Sequence, residues 1–304
     1  MELIPPGTTI DFLRYRNSCM LGSLALILIG AAAAVVRGGP NLGIDFAGGS
    51  LVHVRFTEAT TTQMVRDALH GTDLAGLAIQ DLRGERSEFL IRVPLEATEV
   101  EAVTQKVTET LKAAFGADKV EVLRIESVGP LVGEALRQKA LLAVSFATIM
   151  MGVYIWVRFQ WRFGLGAAVA LLHDVLLTMG ALIVWNYEFD LTIVAALLTV
   201  VGFSVNDTVI VSDRIRENMR KDRRSSLPVI LNKSINETLS RTILTTGTAL
   251  FVVLALYVLG GNVMHGFAFA LLVGFTVGTY SSIFIATPVV LFFERRGAAS
   301  GRRA

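Results

Sequence analysis

The sequence predicts a polytopic α-helical membrane protein, with six transmembrane helices and one α+β domain outside the membrane. Three observations predict it. The 304 residues are 53% hydrophobic, with a mean hydropathy of +0.57, too apolar for an ordinary soluble domain. Six windows reach the roughly 20 apolar residues that cross a hydrocarbon core. Between the first and second windows lies a stretch of mixed composition, residues 37–139, with strand-like alternation.

The windows are Cys19–Val36, Ala140–Val157, Gly164–Trp185, Leu191–Val211, Thr242–Leu259 and Gly266–Phe293. The last is long enough to tilt or to extend past the lipid. The chain divides into an N-terminal segment (1–18), a first helix (19–36), the outside domain (37–139), a five-helix bundle (140–293) holding an amphipathic connector (212–240), and a tail (294–304). Arg14 and Arg16 precede the first window as in a signal peptide, but the window is longer than a usual signal core. A retained anchor is expected. Cys19 is the single cysteine, which excludes an intrachain disulfide and a cysteine-based metal site. Packing is its expected role.

The formal charge of +2 points to no nucleic acid. Basic residues instead cluster at Arg14 and Arg16, at Arg158 and Arg162, from Arg214 to Arg224, and at Arg295 and Arg296. With six spans all four groups fall on one face, which the positive-inside rule makes cytoplasmic, with both termini. The opposite loops are the large domain and two short turns, Asn186–Asp190 and Gly261–His265.

In the outside domain Leu51–Phe56 alternates as a strand, and Thr60–Leu69 reads as a short helix with Thr60 or Thr61 at its cap. Leu77–Arg83 and Glu88–Val93 read as strands joined across Gly84-Glu85. Glu96–Phe115 carries Val100, Val103, Val107 and Leu111 at helical spacing, and Lys119–Ile125 closes as a strand. This βαββαβ order is the ferredoxin-like arrangement. His53 and His70 stand apart from other ligands, and no catalytic constellation is visible.

Between the fourth and fifth windows Leu227, Leu231, Ile235 and Leu239 recur every four residues after a Ser226-Leu-Pro228 start, opposite Asn232, Lys233 and Asn236. An interfacial helix and a connector resting on the bundle both fit. In the last window Ala270, Gly274, Gly278, Ser282 and Ala286 form a small-residue stripe, a helix-packing face.

Three polar sites lie within the apolar windows. Asp207 is flanked by Asn206 and Thr208, with Ser204 one turn away on the same face. It is either a cap or interhelical hydrogen-bonding group, or a carboxylate that takes up and releases a proton. Arg241 opens the fifth window. It snorkels to the interface, unless the helix starts earlier and brings it to the depth of Asp207. His173 and Asp174 sit near the middle of the third window, about 15 Å along the helix at 1.5 Å per residue. Neighbours on a helix point about 100° apart and need not touch. A structural hydrogen-bond role and a relay role both fit. No motif for ATP use, zinc hydrolysis or a nucleophile–base pair is present.

Several strings carry a resemblance. GlyIleAspPheAlaGlyGly (43–49), ValGlyProLeuValGly (128–133), ArgPheGlnTrpArgPhe (158–163), AlaLeuLeuHisAspVal (170–175), the run from Val201 to Asn218, SerIleAsnGluThrLeuSerArgThr (234–242) and GlyThrTyrSerSerIlePheIleAla (278–286) resemble the SecF family of the bacterial Sec export machinery. The match runs in order from about Asn17 to Phe293. The resemblance implies a non-enzymatic subunit of the resistance-nodulation-division superfamily layout, in the bacterial inner membrane, with its α+β domain periplasmic. It implies SecD, the SecYEG channel, YajC, membrane lipid and a translocating preprotein as partners, and protons rather than a cofactor as the driving species. It places the family's proton-pathway aspartate on Asp207 and its arginine on Arg241. His173 and Asp174 remain candidate relay residues. A further aspartate belongs to the SecD half, so the resemblance implies an incomplete proton path in this chain alone. Phe203 stands where the family often has Tyr, and Gln160 where it often has Glu. A passive scaffold and an efflux-type subunit of the same superfamily are the rival readings.

Overall fold

A computed structural model describes residues 9–70, 77–82, 87–93 and 100–300. In chain order the elements are α1 (Arg16–Val36), α2 (Ile44–Ala47), β1 (Gly49–Phe56), α3 (Thr62–Leu69), β2 (Ala78–Leu82) and β3 (Ser87–Val93). Then come α4 (Val100–Phe115), β4 (Val120–Val128), α5 (Pro130–Arg158), α6 (Trp161–Val184), α7 (Leu191–Lys221) and α8 (Leu227–Leu259). The chain ends on α9 (Gly261–Ser281), a π-helical segment (Ser282–Ala286) and α10 (Thr287–Ser300). Six helical stretches are long and apolar enough to cross a membrane. The chain forms two compact units, one of 1–41, 142–187 and 192–304, the other of 42–141 and 188–191.

In the helical unit, α6, α7 and α9 are the buried members, while α1, α5 and α8 expose most of their apolar length. The helices overrun the apolar windows because amphipathic residues continue the same hydrogen-bond ladder. α8 starts at Leu227, so the connector and the fifth span are one continuous helix, with Pro228 tolerated in its first turn. Leu231, Ile235 and Leu239 pack into the bundle core with Ile215 and Leu13, which selects the connector that rests on the bundle. The polar face has its own task. Asn232 accepts from the Phe12 amide at 2.9 Å and donates to the Ile10 carbonyl at 2.8 Å. Asn236 accepts from the Ile10 amide at 2.9 Å and donates to the same carbonyl at 2.8 Å. The turn expected at Gly261–His265 is helical instead. The Gly260 amide closes α8 on the Leu256 carbonyl at 2.8 Å, and Gly261, at φ +69°, reverses the chain within one residue.

The small-residue stripe of the last span is a packing face. A Cβ at Gly274 would overlap the Val200 side chain, and one at Gly278 would lie 3.0 Å from Ser204 Cβ. This contact brings the backbones of α7 and α9 together, close enough for short hydroxyl side chains to bridge them.

The second unit holds an antiparallel sheet in the order β2-β3-β1-β4, the expected ferredoxin-like order. Alternate β1 residues Val52, Val54 and Phe56 are buried with Phe89 and Ile91 of β3, under Val65 and Leu69 of α3 and Val107 and Leu111 of α4. Thr61 caps α3, its hydroxyl accepting from the Met64 amide at 3.3 Å, and His70 follows the helix end as expected. His53 is not isolated. Its Nε2 lies 3.2 Å from Glu88, which also accepts from Arg55 at 2.8 Å. The Arg55 hydrogen bond holds the Glu88 carboxyl below its ordinary value. Residues 83–86, where the Gly84-Glu85 turn was expected, and 96–99, the expected start of the second helix, lie outside the described residues. In the same unit Gly43 donates to the Phe189 carbonyl at 2.7 Å, Asp45 accepts from the Leu191 amide at 2.9 Å, and Arg92 pairs with Glu188.

Gly274→Ala is expected to lower stability by about 1–3 kcal/mol through overpacking. Gly247→Ala, where a Cβ meets nothing within 4 Å, serves as its control. Thermal unfolding of the detergent-solubilised chain checks this, and equal midpoints for the two variants would contradict the packing described.

Candidate functional site

Charged groups at membrane depth must find partners inside the protein, and here they do so in two clusters that share α7 and α9. The first centres on Asp174, which is fully buried. Its Oδ1 accepts from His173 Nδ1 at 2.9 Å. Its Oδ2 accepts from Ser204 on α7 at 2.5 Å and from Ser281 on α9 at 2.8 Å. Thr178 donates one turn back to the Asp174 carbonyl at 2.7 Å. One carboxylate thus ties three helices.

Two expectations change here. His173 and Asp174 touch, because the imidazole folds back across the helix surface onto its neighbour's carboxylate. Ser204 faces Asp174 rather than Asp207. Ser281 was not singled out from the sequence, where the four-residue stripe drew attention to the adjacent Ser282. The signal for it was the doubled serine in an otherwise apolar turn. On its other side His173 stacks on the Tyr280 ring, centroids 6.0 Å apart. The Tyr280 hydroxyl donates to the Cys19 carbonyl at 2.7 Å and lies 2.9 Å from Ser23. His173 Nε2 is buried without a hydrogen-bond partner.

The second cluster centres on Asp207, 1% exposed. Thr279 of α9 donates to its Oδ2 at 3.3 Å, and Thr246 of α8 lies 2.8 Å from the Thr279 hydroxyl. Oδ1 of Asp207 has no partner, nor has the buried hydroxyl of Thr242, one turn before Thr246. An unpaired buried polar group costs free energy, and Oδ1 of Asp207 is such an atom. Thr208 beside it donates to Ser282 at 3.1 Å, since the Ser282 proton goes to the Gly278 carbonyl.

Arg241 adjoins Thr242 on α8, about 20 Å along the helix from Leu227 at 1.5 Å per residue. The early helix start therefore carries it to the level of the Asp207 cluster. It is exposed, and among the described residues it makes no ion pair with Asp207. Phe203 stacks on Phe275 with ring centroids 4.0 Å apart. Thr279, Ser281 and Ser282 form one hydroxyl-bearing turn at the end of α9, and it contacts both clusters. The π-helical segment starts at Ser282, a feature frequent at functional sites. Among the described residues no group of three metal-ligating side chains gathers. Among the described residues the arrangement gathers two carboxyl groups, one imidazole and a set of hydroxyls within the apolar helices.

Asp174→Ala strands the donors of His173, Ser204 and Ser281 and is expected to cost about 3–5 kcal/mol. Ser281→Ala, which removes one donor, should cost about 1 kcal/mol. Denaturant midpoints in detergent check the ratio, and comparable losses for both would contradict the three-helix tie.

Comparison with known proteins is consistent with this layout. The family model for the C-terminal region of the SecD/SecF protein export membrane proteins matches residues 106–296, and that for the SecD/SecF GG motif matches residues 34–60. The protein translocase subunit SecF of Desulfurispirillum indicum is 43% identical over 293 residues, covering 94% of this chain and 92% of the relative. That of Magnetococcus marinus is 45% identical, covering 97% and 95%. The crystal structure of SecDF, a translocon-associated membrane protein from Thermus thermophilus, superposes with a TM-score of 0.83 at 34% identity. This chain is covered over 95% of its length and spans 39% of that longer SecDF chain.

Proposed function

The chain belongs to the SecF family of protein translocase subunits, and from this premise we propose that it pairs with a SecD chain and uses the proton-motive force to assist late stages of preprotein translocation. Asp207 is the proton-carrying carboxylate and Arg241 its electrostatic partner in that cycle, with His173 and Asp174 as a relay beside them. The observation that carries this reading is the buried Asp207 with one oxygen unpartnered. A carboxylate at such depth costs roughly 2.5–3.5 kcal/mol on an insertion scale, and residues retained at that cost commonly mark ion or proton paths. Each elementary charge moved across 100 mV supplies about 2.3 kcal/mol, enough to bias a two-state movement.

The SecD pairing is supported by an unusual face of α7. Ala195, Thr199, Gly202 and Asn206 are exposed along one stripe at membrane depth, and Arg241 is exposed on α8. Lipid is a poor environment for Asn206 and Arg241. Small residues beside them admit a closely packed partner helix, and that helix would supply the acidic group that completes the path. The rest of the complex follows the family: the SecYEG channel, YajC and the exported preprotein, with lipid around the outer helices. Basic residues at Arg14, Arg16, Arg158, Arg162 and Arg214–Arg224 support a reading with both termini in the cytoplasm of a bacterial inner membrane and residues 37–139 in the periplasm. Protons are the only mobile species required, and no enzymatic step or cofactor is invoked.

The test is pulse-chase export in cells depleted of their own SecF and supplied with this chain and its SecD partner. Asp207→Asn and Arg241→Met are expected to slow export by about tenfold or more, the scale of a lost proton-transfer group, with complex levels on blots unchanged. Normal export by both variants would leave the passive scaffold as the better reading.

A further inference from the structure

The buried pair on α6 has a feature that its role as a helix tie does not use. Asp174 needs only an acceptor's worth of donors, and three supply it. Both carboxyl oxygens of Asp174 are thus engaged by donors. His173 satisfies it with Nδ1 alone. The other ring nitrogen, Nε2, faces no partner, although the residue is only 6% exposed. A neutral imidazole that donates from Nδ1 has a bare lone pair at Nε2. With the carboxyl group ionised, the pair in that state carries a net charge of −1.

We propose that His173 and Asp174 form a second protonation site of the bundle, loaded at Nε2 of His173 and used in each transport cycle. In the loading step a proton adds to the Nε2 lone pair and the imidazole becomes imidazolium. No other bond forms or breaks. Nδ1–H stays on the Asp174 carboxylate, and the pair goes from −1 to neutral. On release the same proton leaves Nε2.

The surroundings suit a reversible site. The titratable groups that face His173 are Asp174 on its own helix and Tyr280 across the ring on α9, with Cys19 beside Tyr280 on α1. From α7 the pair meets Ser204, a hydroxyl. Among the described residues Asp174 is the only charged group that forms an ion pair with His173. The cation of the loaded state is therefore balanced by one carboxylate, and the anion of the empty state by two serine hydroxyls. Those serines lie on α7, three residues from Asp207, and on α9, two residues from Thr279. The two helices that hold Asp207 thus also hold this pair. This deepens the proton-coupled reading and rests on it for the use of the proton, though not for the site itself.

The experiment uses the full chain in lipid nanodiscs, with its histidines labelled with nitrogen-15 and the His173 signals identified by their loss in His173→Gln. The expected result is an Nε2 signal that moves between bare and protonated states as the pH is taken from about 5 to about 9. The movement should be retained in Asp207→Asn. In the export assay with the SecD partner, His173→Gln is expected to lose about tenfold or more in rate. An Nε2 signal fixed in one state over that range overturns the site, and so does unimpaired export by His173→Gln. Neither result depends on Asp207→Asn, whose own export rate decides the reading of the preceding section independently.

Discussion

The helical unit is organised around one buried carboxyl group. Asp174 has no solvent to turn to, so its hydrogen bonds must come from neighbouring helices. Ser204 and Ser281 bring α7 and α9 within reach of α6 for that purpose. Hydroxyl groups this short can bridge only if the backbones are close. That closeness comes from Gly274 and Gly278, which lie against Val200 and Ser204 without a side chain between. The small-residue stripe and the buried carboxylate are therefore two halves of one constraint. The glycines set the distance, and the carboxylate fixes the rotation at which the helices meet. The outer helices α1, α5 and α8 are free of this demand and expose apolar surface accordingly.

The second carboxylate inherits its position from the first. Asp207 lies one turn beyond Ser204 on α7, and Thr279 lies two residues before Ser281 on α9. Once Asp174 has locked those two turns, Asp207 meets Thr279 and keeps one oxygen unbonded. The difference between the two acids is one of saturation. Asp174 accepts from three side chains and ties three helices, whereas Asp207 accepts from Thr279 and keeps Oδ1 unbonded. Arg241 lies on an exposed face of α8 and makes no ion pair with Asp207 among the described residues.

Most of the architecture was legible in the sequence because burial in lipid and burial in a sheet leave strong periodic marks. Six apolar windows and the alternation of Val52, Val54 and Phe56 needed no tertiary information. Asp207, Arg241, His173 and Asp174 stood out as polar residues in apolar runs. Partner choice was not legible. Ser204 shares a helix face with Asp207 in the sequence pattern, and only the packing of α6 against α7 shows it donating to Asp174. Asn232 and Asn236 read as a wet face because nothing local says that Ile10 and Phe12, more than two hundred residues earlier, present their backbone to them. The length of α8 was hidden for another reason. A change from amphipathic to wholly apolar residues marks where lipid begins, and the helix itself crosses that line unbroken.

The π-helical segment at Ser282–Ala286 has one more residue in its turn than the α-helix around it. Beyond it every side chain is set back in phase, so the face that packs at Gly274 and Gly278 does not continue as the same face of α10. Glu294, which pairs with Arg162 of α6, is aimed by that offset. Removing one residue from the segment would leave composition and hydropathy nearly untouched and would turn the whole of α10 about its axis. In an alignment of related chains, a one-residue gap at this place would record a change of helix type rather than a trivial loss.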